Sequence, residues 1–323
     1  MTRGIVFAAA IAAALGAMPT AVATDYPTRP VTLVLGFSPG GPSDVVARVV
    51  SVKATQLLGQ RIVIDNRPGA GGNIAGEYVA RAAPDGYTLL LGNNGILATN
   101  ISLYQKTGFD PIRDFQPITL VGVQANVLYV HPSVPARSLA ELIEYAKANP
   151  RKLNYASGGH GTAGHLAGEL FKTEAKIDIV HVPYKGTGPA LQDVLAGHVQ
   201  MGFSAVAPVG PHIQSGAVRP LAVTTLQRTA LLPDIATIAE LGIPGFEATT
   251  WHGLVAPAGT PKEVVATLHR TLVATLNDPE VRKSLTSLGV DVVGNTPEEL
   301  AAYIRAEIPK WAAVVKASGA KLE

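Results

Sequence analysis

The sequence predicts an α/β protein of two lobes, each a mostly parallel sheet flanked by helices, with two strand-like segments crossing between them. Three observations carry this. Apolar runs of strand length alternate with helix-period segments from Val31 to Asn93. The alternation restarts after the charge-poor stretch "LVGVQANVLYVHPSVP", Leu120 to Pro135. An extended stretch, "EATTWHGLVAP", Glu247 to Pro257, then returns ahead of a run of helices.

The first element stands apart. Arg3 precedes an apolar, alanine-rich run from Ile5 to Ala17, and small residues follow to Ala21-Val22-Ala23, the pattern of an export signal cleaved after Ala23. A membrane anchor needs about 18–20 uninterrupted apolar residues, and Gly16, Pro19 and Thr20 break this run early. Cleavage leaves 300 of the 323 residues, suited to two lobes of about 150. The formal charge of +2 falls to +1 with Arg3, and the remaining charges are scattered, which excludes a basic surface for nucleic acid. With no cysteine there is no disulfide, thiolate metal site or cysteine nucleophile.

From Val31, "VTLVLGF", "RIVIDN" and "YTLLLGN" read as strands, with helices between them at "DVVARVVSVKATQLLG" and "IAGEYVARA". The apolar first strand implies burial on both faces. The first helix sets Val45, Val46, Val49 and Val50 on one face, continued by Leu57 and Leu58, with Gly59 as C-terminal cap. In the second half Ser138 caps a helix in capping-box spacing with Glu141, and Pro150 ends it. "KLNYAS", a helix near 162–173, "DIVHVPY", a helix near 189–196 and "VQMGFSAV" complete a second α/β unit. The second unit reads as inserted in the first. Residues 24–125 and 250–323 form one lobe and 126–249 the other, with crossings near 122–130 and 246–254. Two sequential domains meeting near Gly122 are the alternative.

Ligands of open α/β sheets sit beyond the carboxyl ends of strands, so facing lobes make a cleft. There, "SPGGPSD" joins the first strand to its helix. Glycines permit unusual backbone conformations, a need placed at Gly41, and Pro42 suits the first helical turn. Amides then point outward with the positive end of the helix behind them, a seat for an anion. Phosphate is disfavoured, because the loop matches neither G-x-x-x-x-G-K-[ST] nor G-x-G-x-x-G. An ordinary strand-to-helix turn capped by Ser43 or Asp44 is the plainer reading. Loops of the same character recur at "YASGGHGTAGHLAGE", at "HVPYKGTGPALQD" and, with the amides of Asn93 and Asn94, at "LGNNGILATN".

Together "SPGGPSD", "NRPGAGGNIAGE", "PDGYTLLLGN", "YASGGHGTAGHLAGE", "HVPYKGTGPALQDVLAGHV" and "WHGLVAPAGTP" resemble the extracytoplasmic binding proteins of tripartite tricarboxylate transporters, the Bug family. The resemblance covers almost the whole exported chain. It implies a type II periplasmic-binding fold, a Venus flytrap closing on a carboxylate: a di- or tricarboxylate, an aromatic acid or an acidic amino acid. Carried over, ligand binding falls on Ser38, Gly40, Gly41, Ser43 and Asp44 in one lobe and on Ser157, Gly158, Gly159, Gly161, Thr162, Lys185, Gly186 and Thr187 in the other. Asn93, Asn94 and His160 are further candidates. One departure is Gly36, where the family commonly has proline.

Asp44 sits awkwardly beside an anion, so helix capping competes with ligand contact. Lys185 reads equally as a ligand partner or a solvated loop lysine. His165 reads as a loop-holding partner, and Trp251 as packing beneath the return crossing. His160 and His165 are five apart, not the i, i+4 pair of H-E-x-x-H, and no carboxylates accompany them, so neither metal nor cofactor is expected. A periplasmic hydrolase is the rival class, but no G-x-S-x-G elbow or acidic pair is present. The expected partners are the carboxylate and membrane subunits of a tripartite tricarboxylate-type transporter, for a monomeric carrier that binds no nucleic acid. A ligand-sensing partner of a membrane sensor kinase would share the fold and the binding chemistry.

Overall fold

The computed structural model describes residues 26–184 and 186–319, so the expected export signal and Lys185 lie outside the described residues. β1 (Val31–Leu35) lies between β2 (Ile62–Asn66) and β3 (Thr88–Asn93), parallel to both. Its side chains divide by the period of two. Val31, Leu33 and Leu35 join one apolar cluster and Val34 joins another, so the strand is buried on both faces.

Between β1 and β2 runs α1 (Pro42–Leu58), with proline in its first turn and Gly59 in the left-handed conformation at its end. Its buried side is built from Val46, Ala47, Val50, Ser51 and Ala54, against α8 (Lys262–Asn277) and α9 (Pro279–Ser287). Leu57, expected on the apolar face, is 47% exposed. The buried stripe follows small residues at i, i+3 and i+4, which let the helix sit close to its neighbours. α2 (Asn73–Ala80) covers the opposite face of the sheet with Ala75 and Val79. A π-helical turn at Gly95–Thr99 and α3 (Asn100–Leu103) follow β3.

The chain then changes sheets. β4 (Phe115–Gln124) ends in the first sheet, and after Ala125 β5 (Asn126–Val130) belongs to the second. There β6 (Asn154–Ser157) is parallel to β7 (Val180–Pro183) and β8 (Met201–Ala205), while β5 runs antiparallel to β8 and to β9 (Arg219–Val223). The return is made by β10 (Thr250–Pro257), antiparallel to β3 and β4, with β11 (Val290–Val292) on the outer edge. The sheet orders are β11-β4-β10-β3-β1-β2 and β7-β6-β8-β5-β9. Strands that begin each α/β unit are parallel as expected, and the crossing strands make both sheets mixed. All five strands of the second sheet lie between β4 and β10 in the chain, the pattern of an insertion.

The helices of the second sheet are α4 (Leu139–Ala148), α5 (Ala163–Ala175), α6 (Thr187–Leu195) and α7 (Val206–Gln214). Ser138 caps α4 by accepting from the Glu141 amide at 3.2 Å, whereas the Glu141 carboxylate takes the Arg137 amide. The capping box is therefore half formed there. A complete one, Thr296 with Glu299, opens α10 (Pro297–Ser318). α10 packs against both α5 and β4, so the C-terminal helix touches elements of both sheets. Its Glu307 Oε2 accepts from the indoles of Trp251 at 2.9 Å and Trp311 at 2.8 Å, which anchors β10 from below. No described helix is long and apolar enough to cross a membrane.

Candidate functional site

A cavity of ≈ 520 Å³ lies between the two sheets, walled by the loops that follow β1, β2 and β3 on one side and by the loops that follow β6 and β7 and the end of β8 on the other. No Asp, Glu, Lys or Arg among the described residues lines it. An anion held by these residues is held by dipoles.

The loop after β1 supplies them. Pro42, the first helical residue, has no N–H, and among the described residues no protein group accepts from the amides of Ser43 and Asp44. Two unpaired donors thus stand at the positive end of a 17-residue helix. Ser38, Gly40, Gly41 and Ser43 line the cavity. The positive φ belongs to Gly40, at 80°, and Gly41 is extended with φ −76°, which corrects the sequence expectation about where glycine is needed. The Gly40 amide also turns inward, to Asp44 Oδ2 at 2.9 Å.

Asp44 is 2% exposed and does not line the cavity. Its carboxylate accepts from Arg48 Nε at 2.8 Å, Arg48 Nη2 at 3.1 Å and Asn66 Nδ2 at 3.2 Å. The Arg48 hydrogen bonds hold its pKa below the usual carboxylate range, against burial and with help from Gly40 and Asn66. Asp44 thereby braces the loop and keeps its own charge off the seat. Asn66 completes the brace by donating to the Phe37 carbonyl at 2.9 Å. Gly36 leaves no room for a side chain, since an added Cβ would stand 2.7 Å from Gly72 Cα.

The Ser43 hydroxyl lies 3.0 Å from Nε2 of His252, which is fully buried on β10. The register of β10 against β4 shifts between His252 and Gly253, a bulge beside the site. Burial drives the His252 pKa down to about 4, so the ring is neutral at pH 7. Among the described residues its Nδ1 has no partner. Asn93 and Asn94 line the cavity. The Asn93 side chain accepts from the Ile96 amide, and among the described residues both polar atoms of buried Asn94 are unpaired. Unpaired Gln124 Oε1 and Ser204 Oγ belong to the same wall. Buried polar atoms of this kind are costly unless a ligand or water reaches them.

Across the cleft, Gly158, Thr162, Gly186 and Thr187 line the cavity. The Gly186 amide donates to the Gly158 carbonyl at 3.0 Å, joining the two loops, and Thr162 caps α5. Ser157, Gly159, His160 and Gly161, expected in direct contact, fall outside this lining. The reason is local. Ser157 Oγ is engaged with Gly159 and with His181 at 2.7 Å, and the His160 ring meets those of His165 and His181. Sequence reasoning missed Asn66, Gln124, Asn126 and His252. The last three lie on the crossing strands, and polar residues inside otherwise apolar runs were the available signal.

Residues 46–320 match the family described as the tripartite tricarboxylate transporter family receptor. BugT of Bordetella pertussis is 36% identical over 324 residues, spanning 100% of this chain and 99% of that protein. Three solved structures are similar over the whole fold. The periplasmic binding protein BugD has a TM-score of 0.81 at 39% identity, with 92% of this chain and all of that one covered. Rpa4515 of R. palustris, solved with adipate, scores 0.84 at 42% identity over 92% of this chain and 100% of its own. MatC of Rhodopseudomonas palustris, with bound malate, scores 0.80 at 36% identity over 90% and 100%.

Proposed function

This chain belongs to the tripartite tricarboxylate transporter receptor family, and from that premise we propose that it captures a small carboxylate in the interlobe cleft and delivers it to the membrane subunits of a tripartite transporter. The family and fold are those of periplasmic binding proteins. One observation carries the reading: among the described residues nothing accepts from the amides of Ser43 and Asp44 at the head of α1, whose Pro42 and Ser43 line a cavity with no charged lining among those residues. The cavity volume, ≈ 520 Å³, suits a small organic acid. Adipate and malate, found in the two relatives above, are both dicarboxylates. The ligand classes are di- and tricarboxylates, aromatic acids and acidic amino acids.

In this reading the lobes are residues 24–125 with 250–323, and 126–249. They close about the crossings near Ala125 and Thr249. Asn126 Nδ2 donates to the Ala248 carbonyl at 2.9 Å, so the two crossings are tied where a hinge would bend. Ser38, Gly41 and Ser43 grip the carboxylate, and Gly158, Thr162, Gly186 and Thr187 meet it on closure. The chain is exported, cleaved after Ala23 and acts as a monomer.

The cleft binds without turnover. Ser43–His252 has the contact of a nucleophile and base, but His252 Nδ1 has no orienting carboxylate and Ser43 is 5% exposed. Thermal melting with a panel of mono-, di- and tricarboxylates, aromatic acids and acidic amino acids tests the reading. At a hundredfold excess over Kd a ligand adds about 2.7 kcal/mol of stability. At least one acid raises the melting temperature by several degrees. A flat response to all of them, with hydrolysis of an ester or amide, would overturn the proposal.

A further inference from the structure

We propose that His160, His165 and His181 form a binding site for one transition-metal ion of the imidazole-preferring kind, Zn²⁺ foremost, beside the lobe-two cleft loop. In the sequence only His160 and His165 are close, at a spacing that argues against a metal. The fold supplies the third: β7 pairs with β6 so that His181 stands opposite Tyr155, at the base of the same loop. One ring nitrogen from each histidine lies within 4.8 Å of the others.

Tetrahedral zinc with bonds of about 2.0–2.1 Å needs its nitrogens about 3.3 Å apart, so the rings must draw together by up to about 1.5 Å. His160 can make that move. It is exposed, and both neighbours are glycines at positive φ, Gly159 at 123° and Gly161 at 75°. The other two rings are already placed. His181 stacks on Tyr155 with centroids 4.8 Å apart, and Ser157 Oγ holds its Nε2 at 2.7 Å, leaving Nδ1 for a metal. No hydrogen bond joins the three rings to one another, although the His165 and His181 centroids are 4.3 Å apart. A shared ion gives three converging lone pairs a common partner, and water takes the fourth position.

Metal binding also reaches the cleft. The Gly161 amide donates to His165 Nδ1 at 3.2 Å. Ligation through Nδ1 takes that lone pair, and ligation through Nε2 moves the ring proton to Nδ1. Either way the Gly161 amide is released, one residue before Thr162 in the cavity wall. Ion and carboxylate therefore influence each other's affinity, by the same factor in both directions.

The test is calorimetric titration of Zn²⁺, with Mg²⁺ as control, into EDTA-stripped protein carrying no histidine tag. Expected are one Zn²⁺ per chain at micromolar affinity or tighter, no Mg²⁺ binding, and weakening of at least about 10-fold in His160→Ala and His181→Ala. His160 is exposed, so His160→Ala melts as the wild type does and keeps the comparison valid if the His181 variant misfolds. Absence of stoichiometric Zn²⁺ binding overturns the proposal. So does unchanged Zn²⁺ affinity in folded His160→Ala, which would place the ion elsewhere, such as His198 with Asp193.

Discussion

Ser43 and His252 are 209 residues apart in the chain and 3.0 Å apart in space. Their hydrogen bond fastens the first turn of α1, where the free amides stand, to the strand on which the chain returns from the second sheet. The loop that follows β1 is thereby tied to the crossing.

Replacing Ser43 by alanine leaves His252 buried with neither ring nitrogen paired, because Nδ1 already lacks a partner among the described residues. Ser43→Ala is expected to lose about 1–3 kcal/mol in urea unfolding, with weaker carboxylate binding as the loop loosens. Stability equal to wild type would mean that this contact contributes nothing in solution.

Acid weakens the fold in a defined window. His165 and His252 are driven to pKa values of about 4 and His181 to about 3, from 6.5 in the free side chain. The unfolded chain takes up these protons first, so their stabilisation is complete above pH 6.5 and is lost as pH falls toward 4. Each adds a slope of up to about 1.4 kcal/mol per pH unit, with less from partly exposed His181. Urea midpoints at pH 7.5, 6.5, 5.5 and 4.5 should fall most across the last two steps, and His252→Asn should flatten the curve. A midpoint that rises on acidification contradicts this.

The loop glycines separate shape from strain. A Cβ at Gly40 meets nothing within 4 Å, but its φ of +80° makes Gly40→Ala cost about 1–2 kcal/mol. Gly41 has an ordinary φ, and a Cβ there would sit 3.4 Å from the Ser38 carbonyl oxygen. Gly41→Val should therefore fold, while its methyls crowd the seat and weaken carboxylate binding by about 10-fold or more (roughly 1.4 kcal/mol). Calorimetry and circular dichroism on the two variants distinguish these outcomes, and wild-type affinity in Gly41→Val would reduce the loop to a turn.

An anion held by amides should be insensitive to salt. With no charged side chain among the described lining residues, Kd should change by less than about 3-fold between low and high NaCl. A steep salt dependence would point to a cation in the shell, and Lys185, beside lining Gly186, is the first to replace.

Much of this was legible in the sequence because it is local. Apolar runs marked β1, β2 and β3, proline and glycine marked the ends of α1, and glycine-rich loops marked both jaws of the cleft. What was hidden depends on distant pairing. His252 reaches Ser43 only through the order β10-β3-β1, and His181 joins His160 only through the pairing of β6 with β7. Asp44 was readable as a residue of the loop but not in its direction, which Arg48 and Asn66 decide. β11, three residues long, is too short for periodicity to reveal.

The central claim is that the head of α1 seats a carboxylate, and a crystal structure with the acid that gives the largest thermal shift tests it most directly. The account predicts one carboxylate of the ligand within hydrogen-bonding distance, about 2.7–3.2 Å, of the amide nitrogens of Ser43 and Asp44. A ligand whose carboxylates pair only with lysine or arginine side chains, leaving those amides to water, would contradict it.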